Sequence, residues 1–177
     1  MVKLKNTNFN DKPIRDAVIE FFKSHFKIIL NETPPERKLI DLTGSTITDL
    51  GVEVEHGKWE GNFWENDSYS LISKQEFRTI NIPIRKEKYW MDEYKFYNKI
   101  VVNESSKKNI FVRSNKDFTQ FIIIKPETIR DEKKLIRTQF QPNNSNEVEN
   151  WLSFREEDVE TYNLVDNKFI LKTHEIQ

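Results

Sequence analysis

The sequence predicts an α/β or α+β domain in which a mixed central sheet is flanked by helices. Three observations support this. One strongly helical stretch opens the chain, a series of short β-patterned runs follows it, and a second helical pattern comes after the most apolar of those runs. The length of 177 residues suits one domain, here taken as residues 1–177.

The opening helix is expected over 11–31, DKPIRDAVIEFFKSHFKIILN. Asp11 can serve as N-cap, and Pro13 sits early, where a missing N–H costs nothing. Ile14, Val18, Phe21, Phe22, His25 and Ile28 recur at helical spacing. His25 on that face reads as a core residue, and Glu20 lies opposite it. Pro34 and Pro35 bar continuation. A short strand is expected over 38–43. The next, over 51–57 (GVEVEHG), alternates Val and Glu with period two. KWEGNFWENDSYS reads as an aromatic loop and SLISKQEF as a short helix. RTINIPIRK alternates isoleucines, and Pro83 makes it an edge strand or ends its pairing. Residues 95–103 and 109–114 read as a hairpin around ESSKK, and 121–126 as a buried strand. IRDEKKLIRTQF reads as a helix, and its weak basic bias fits a solvated face. QPNNSNE reads as a loop, EVENWLSFREEDVETYNL begins as a short helix or turn, and NKFILKT closes as a strand.

Composition excludes several functions. The formal net charge is −1, so there is no global basic field, and any nucleic-acid contact needs a local patch. Four glycines and no G-x-G-x-x-G or GK[ST] run leave no backbone cradle for nucleotide phosphates. The absence of cysteine excludes disulfides, zinc knuckles and thiol nucleophiles, and fits a reducing compartment. No run approaches the ~20 apolar residues of a membrane helix, and none has signal-peptide character. A cytoplasmic protein with no membrane partner is expected.

The chemistry concentrates in DLGVEVEHGKW, residues 49–59. In a strand, Glu53 and Glu55 share one face while Val52 and Val54 take the other and bury, against the first helix by expectation. The glutamate face is then solvated, paired with cations or coordinating a metal. Asp41 lies on the preceding strand and can approach Glu53 if the two strands pair. Three carboxylates at one point suit Mg²⁺ or Mn²⁺. Asp49 would sit about 13 Å from Glu53 along an extended chain, too far to share an ion. Alternating Val and Glu also describes an ordinary half-exposed strand.

A helix, then a strand bearing Asp41, then a strand carrying Glu53-Val54-Glu55, resembles the PD-(D/E)xK nuclease superfamily, which includes many restriction endonucleases. The resemblance covers roughly residues 12–86 and implies a restriction-endonuclease-like fold. It also implies Mg²⁺ bound by Asp41 and Glu53, with a lysine helping to activate water. Glu55 stands where that lysine is usual, as in a minority of restriction enzymes. Glu55 could act as base or as a further metal ligand, and a lysine could come from elsewhere. Lys86, at the end of INIPIRK, is preferred over Lys58.

Residues 85–99 interleave Arg85, Lys86, Lys88, Lys95 and Lys99 with Tyr89, Trp90, Tyr94, Phe96 and Tyr97. Basic groups track phosphates and aromatics stack on bases. Arg85, Lys86, Lys88, Tyr89 and Trp90, with Lys58 and Trp59 beyond the glutamate strand, are therefore the candidate nucleic-acid contacts. Burial of Trp90 and Phe96 in a core is the competing reading. The function expected is Mg²⁺-dependent hydrolysis of DNA phosphodiesters by a small type II restriction-like endonuclease. Asp41, Glu53, Glu55 and Lys86 are its catalytic residues. A homodimer fits, because cutting a duplex usually takes two sites. The alternatives are a non-catalytic binding or assembly protein, and an RNA-acting nuclease on the same fold.

Overall fold

The computed structural model describes residues 11–34, 40–45, 49–65, 78–140 and 148–173. The expected helix at 70–77 and loop at 141–147 lie outside these residues. The fold is α+β and mostly strands. A seven-stranded mixed sheet runs in the order β1 (Leu30–Glu32), β2 (Leu42–Gly44), β3 (Gly51–His56), β7 (Asn109–Ser114), β8 (Gln120–Ile124), β11 (Glu160–Val165), β12 (Lys168–Leu171). β3 and β7 are parallel, and the other pairings in this sheet are antiparallel. β4 (Thr79–Pro83), β10 (Glu149–Arg155) and β9 (Ile136–Phe140) form a second sheet, with β10 central. β5 (Glu93–Phe96) and β6 (Lys99–Val102) form a separate hairpin.

Both faces of the large sheet are covered. On one, Val52, Val54, Ile110, Val112, Phe121 and Ile123 pack with Ile14, Val18, Phe21 and Phe22 of the N-terminal helical segment. On the other, Phe111, Ile122 and Ile124 pack with Ile80, Ile82, Leu152 and Phe154 of the second sheet. Period-two alternation within β7 and β8 thus sends successive apolar side chains into two different cores. Among the described residues, no helix is long and apolar enough to cross a membrane, which says nothing about a β-barrel.

Several expectations are corrected. The first helix, α1, runs Lys12–Phe21, continues as a π-helical turn over Phe22–Phe26 and stops at Lys27, which is left-handed (φ 60°). Beyond it, Leu30–Glu32 pairs with Leu42–Gly44 as an edge strand, so sheet pairing overrides the helical spacing there. His25 is exposed and lies against Phe21 and Tyr162 rather than inside the core. β7 is not the partner of 95–103. The hairpin is β5–β6, closed at Tyr97 and Asn98, both at positive φ (47° and 64°). That backbone fits a two-residue turn matching the twist of the flanking strands. Only a one-turn helix, α2 (Pro126–Ile129), stands near the expected second helix, and Ile136–Phe140 is strand β9. Residues 149–155 are β10, not helix. Pro83 ends the pairing of β4, as its missing N–H requires.

Gly57 closes β3 where no side chain fits. A Cβ there would meet the Trp59 ring and lie 2.5 Å from the Ser114 carbonyl oxygen. That carbonyl already accepts the Gly57 N–H at 2.7 Å. Gly57→Ala is expected to destabilise the protein by about 1–3 kcal/mol through overpacking. The measurement is a lowered urea midpoint at unchanged slope.

Candidate active site

The site is built on β3. Its register with β2 pairs Leu42 with Val52, and continuing that register sets Asp41 opposite Glu53. The strands do not complete the ladder there. Instead the Val54 N–H donates to Asp41 Oδ2 at 2.9 Å, so the Asp41 side chain occupies a backbone-acceptor position. This fixes the Asp41 carboxylate beside Glu53, within hydrogen-bond reach of it.

Glu53 and Glu55 do share a face, but it is not simply solvated. Glu53 is 5% exposed, with Phe111 as its neighbour on β7. Burial, followed by the nearby Asp41 carboxylate, pushes the Glu53 carboxyl up to about 8. The same two carboxylates, together with burial as the larger cause, hold the Tyr89 phenol well above its ordinary range.

Lys86 enters from the second sheet. After β4, residues Ile84–Trp90 form a 3₁₀ helix that turns Lys86 inward. Its Nζ lies 3.1 Å from Glu53 Oε2, 3.7 Å from Glu55 Oε2 and 5.7 Å from the Phe111 ring centroid. Lys86 is 7% exposed, so a buried ammonium bridges two glutamates on one strand. Glu55 Oε2 is itself buried and accepts no hydrogen bond. The four side chains border a cleft of about 870 Å³, which Lys58 and Arg85 also line. Lys116, at the turn after β7, completes the basic rim, and Asp11 reaches the cleft while making no capping hydrogen bond to α1.

The structure thus brings together Asp41, Glu53, Glu55 and Lys86, with Lys58 and Arg85 along the same cleft. It separates the two tryptophans from it. Trp59 is 1% exposed and donates from Nε1 to Gln120 Oε1. Trp90 is 3% exposed and donates to the Asn109 carbonyl. Both are core residues and cannot stack on a base, which corrects the expectation for them. Tyr89 and Lys88 are half-buried, with the Lys88 ammonium over the Tyr89 ring. Asp49 pairs with Lys108, outside the site. Lys116 was not anticipated. A single lysine in a polar turn carries no periodic signal, and only the β7–β8 pairing brings it here.

Among the described residues, no three acidic or histidine side chains converge closely enough to hold a metal ion. The donor set nevertheless fits a hard divalent cation held through two carboxylates. Asp41 and Glu53 are adjacent oxygen donors, and Mg²⁺ typically keeps most of its waters while binding one or two carboxylates. Glu55 stands beside the ammonium rather than beside Asp41. No protein-family model matches the chain, and no curated protein matches it.

Proposed function

We propose that the chain is a Mg²⁺-dependent nuclease of the restriction-endonuclease-like kind that hydrolyses DNA phosphodiester bonds. The observation that carries this reading is the meeting of Asp41, Glu53 and Lys86 at one cleft, from three separate segments of chain. The fold supports it: a helix precedes an antiparallel run of three strands, with Asp41 immediately before the second and Glu53 within the third.

In this reading Asp41 and Glu53 hold the cation. When bound, Mg²⁺ supplies an acidified water as nucleophile and neutralises charge developing on the phosphate. Lys86 offers its ammonium to a non-bridging phosphate oxygen, in a site dry enough for that charge to count. Glu55 keeps the ammonium in place, and its Oε2, free of hydrogen bonds, is the acceptor for the attacking water's proton. Arg85 and Lys58 follow the neighbouring phosphates along the cleft. The lysine usual at the Glu55 position in the family that the sequence resembles is, in this reading, supplied as Lys86 from the 3₁₀ helix after β4. Two copies acting on opposite strands would complete a double-strand cut.

A second reading has one observation in its favour. The lack of a three-ligand cluster among the described residues suits a binding or assembly protein with a purely structural Lys86–glutamate bridge. Incubation with supercoiled plasmid in Mg²⁺ separates the two. The nuclease reading expects nicking that EDTA stops, and a rise in melting temperature on adding Mg²⁺. Neither effect is expected of a structural bridge. Cleavage of RNA but not DNA would move the assignment to an RNA-acting enzyme.

A further inference from the structure

The β5–β6 hairpin is an element the cleft does not use. Eight of its ten residues, Glu93–Val102, are exposed; only Tyr94 and Val101, which pair with one another, are half-buried. At the tip Tyr97 is 87% and Phe96 55% exposed. Lys95 and Lys99 flank the tip. Neither has an ion-pair partner among the described residues. Ile100 and Val102 add exposed apolar surface.

Two-stranded hairpins are marginal in water without further support. Among the described residues, this one is supported by side-chain hydrogen bonds at its root. The Asp92 carboxylate accepts a bidentate pair from Arg130, at 2.9 and 3.2 Å, and a hydrogen bond from the Ser106 hydroxyl at 2.7 Å. Arg130 also donates to the Trp90 carbonyl. The Asn103 amide caps the carbonyls of Lys88 and Tyr89, and its N–H donates to the Asp92 carbonyl. Those hydrogen bonds, chiefly from Arg130, hold the Asp92 carboxyl down at about 2, so the clamp stays charged across the working pH range. The root is therefore tied to the same 3₁₀ helix that delivers Lys86.

We propose that the β5–β6 hairpin enters a groove of duplex DNA whose backbone runs through the cleft. This rests on the nuclease reading and names how that site would hold its polynucleotide. Three features favour a duplex. A two-stranded ribbon fits the major groove, about 12 Å wide and 8.5 Å deep, and strands of four residues reach roughly 13 Å. The tip is basic: Lys95 and Lys99 sit where ribbon edges meet phosphates, while the hairpin's one acid, Glu93, lies at the root. Finally, the chain from Lys86 to Glu93 can span at most about 20 Å, less than one turn of B-DNA at about 34 Å. One duplex can engage both. The exposed Ile100, opposite Lys95 near the tip, then faces the bases, where thymine methyls are the apolar feature.

The test is fluorescence anisotropy with a labelled DNA duplex of two helical turns, in EDTA, over a range of NaCl concentrations. The variant is Lys95→Ala/Tyr97→Asn/Lys99→Ala. Its positions are exposed, and asparagine suits the positive φ of residue 97. At least a tenfold loss of affinity is expected, with the salt slope shallower by about 2, as two phosphate contacts disappear. Circular dichroism and the melting temperature are expected to match the wild type. Unchanged affinity and slope would overturn the proposal. So would a wild type that does not bind the duplex, or a variant whose only change is dissociation of a dimer, which would make the hairpin a contact between copies. Binding is read without metal, so its outcome is independent of the plasmid assay. A hairpin-dependent binder that never cleaves defeats the nuclease reading alone. A Mg²⁺-dependent nuclease with a dispensable hairpin defeats this inference alone.

Discussion

Glu53→Gln is expected to lower Mg²⁺-dependent cleavage by ~10³-fold or more, since several kcal/mol of barrier reduction depend on the ligand and each tenfold is about 1.4 kcal/mol. The same change is expected to stabilise the protein at alkaline pH. The folded-state carboxyl, at about 8, binds its proton more tightly than the unfolded one near 4.5. Its contribution to stability is therefore fully present below pH 4.5 and is lost as pH rises through 8. Between those limits the wild type loses about 1.4 kcal/mol per pH unit from this group. The glutamine variant, with nothing to ionise, lacks that decline. Urea midpoints from about pH 5 to 9 for both proteins measure it. Cleavage that survives in the variant defeats the assignment of Glu53. Parallel pH profiles defeat the account of its burial.

Lys86→Met is expected to reduce kcat by ~10²–10³-fold with little change in KM, the pattern of an interaction made in the transition state. Methionine keeps most of the stem's volume and removes only the ammonium. Lys86→Arg is not expected to restore activity. A compact ammonium fits between Glu53 and Glu55 at 3.1 and 3.7 Å, whereas a planar guanidinium demands a wider fork. Stability should respond to pH in a telling way. Below about pH 7 Glu53 can take a proton and tolerate the loss. At pH 9 it is left as a buried, unpaired charge, a situation that costs about 3–5 kcal/mol. A loss expressed through KM alone would make Lys86 an anchor for substrate, not part of the chemistry.

How far these residues were legible in the sequence differs by feature. The Val/Glu alternation of 51–56 gave the face, the partner core and the shared side of Glu53 and Glu55 directly, because a strand's period is two whatever surrounds it. The meeting of Asp41 with Glu53 was legible as a condition, that the two strands pair. The hydrogen bond that settles it, from Val54 to a side chain, leaves no trace in a pattern of apolar residues. Lys86 stood out only as the end of an isoleucine strand. Trp59 and Trp90 misled because an aromatic between charged residues looks the same whether its indole N–H meets a base or a buried carbonyl. The largest misreading of the fold was at 129–140 and 149–155. Both stretches mix charge and apolar residues at spacings that suit a helix, yet Ile136–Phe140 pairs with 149–153, and 151–155 pairs with β4 on the other side. Pairing between distant segments outweighs local propensity, and a single sequence does not display it.

The parallel pairing of β3 with β7 has a consequence for how the molecule comes into being. Gly51 through His56 find their second neighbour only at Asn109 through Ser114, and β4, the 3₁₀ helix and the β5–β6 hairpin intervene. On a growing chain, the strand carrying Glu53 has β2 beside it early and a bare edge for much of synthesis. Val52 and Val54 can dock on α1 at once, but Glu53 stays in water, ionised and unstrained, until Phe111 arrives. Contacts of such sequence separation slow folding. During that delay the ionised glutamates keep the open edge from joining a neighbouring chain. The carboxylates that line the finished cleft thus also serve as guards of its unfinished edge.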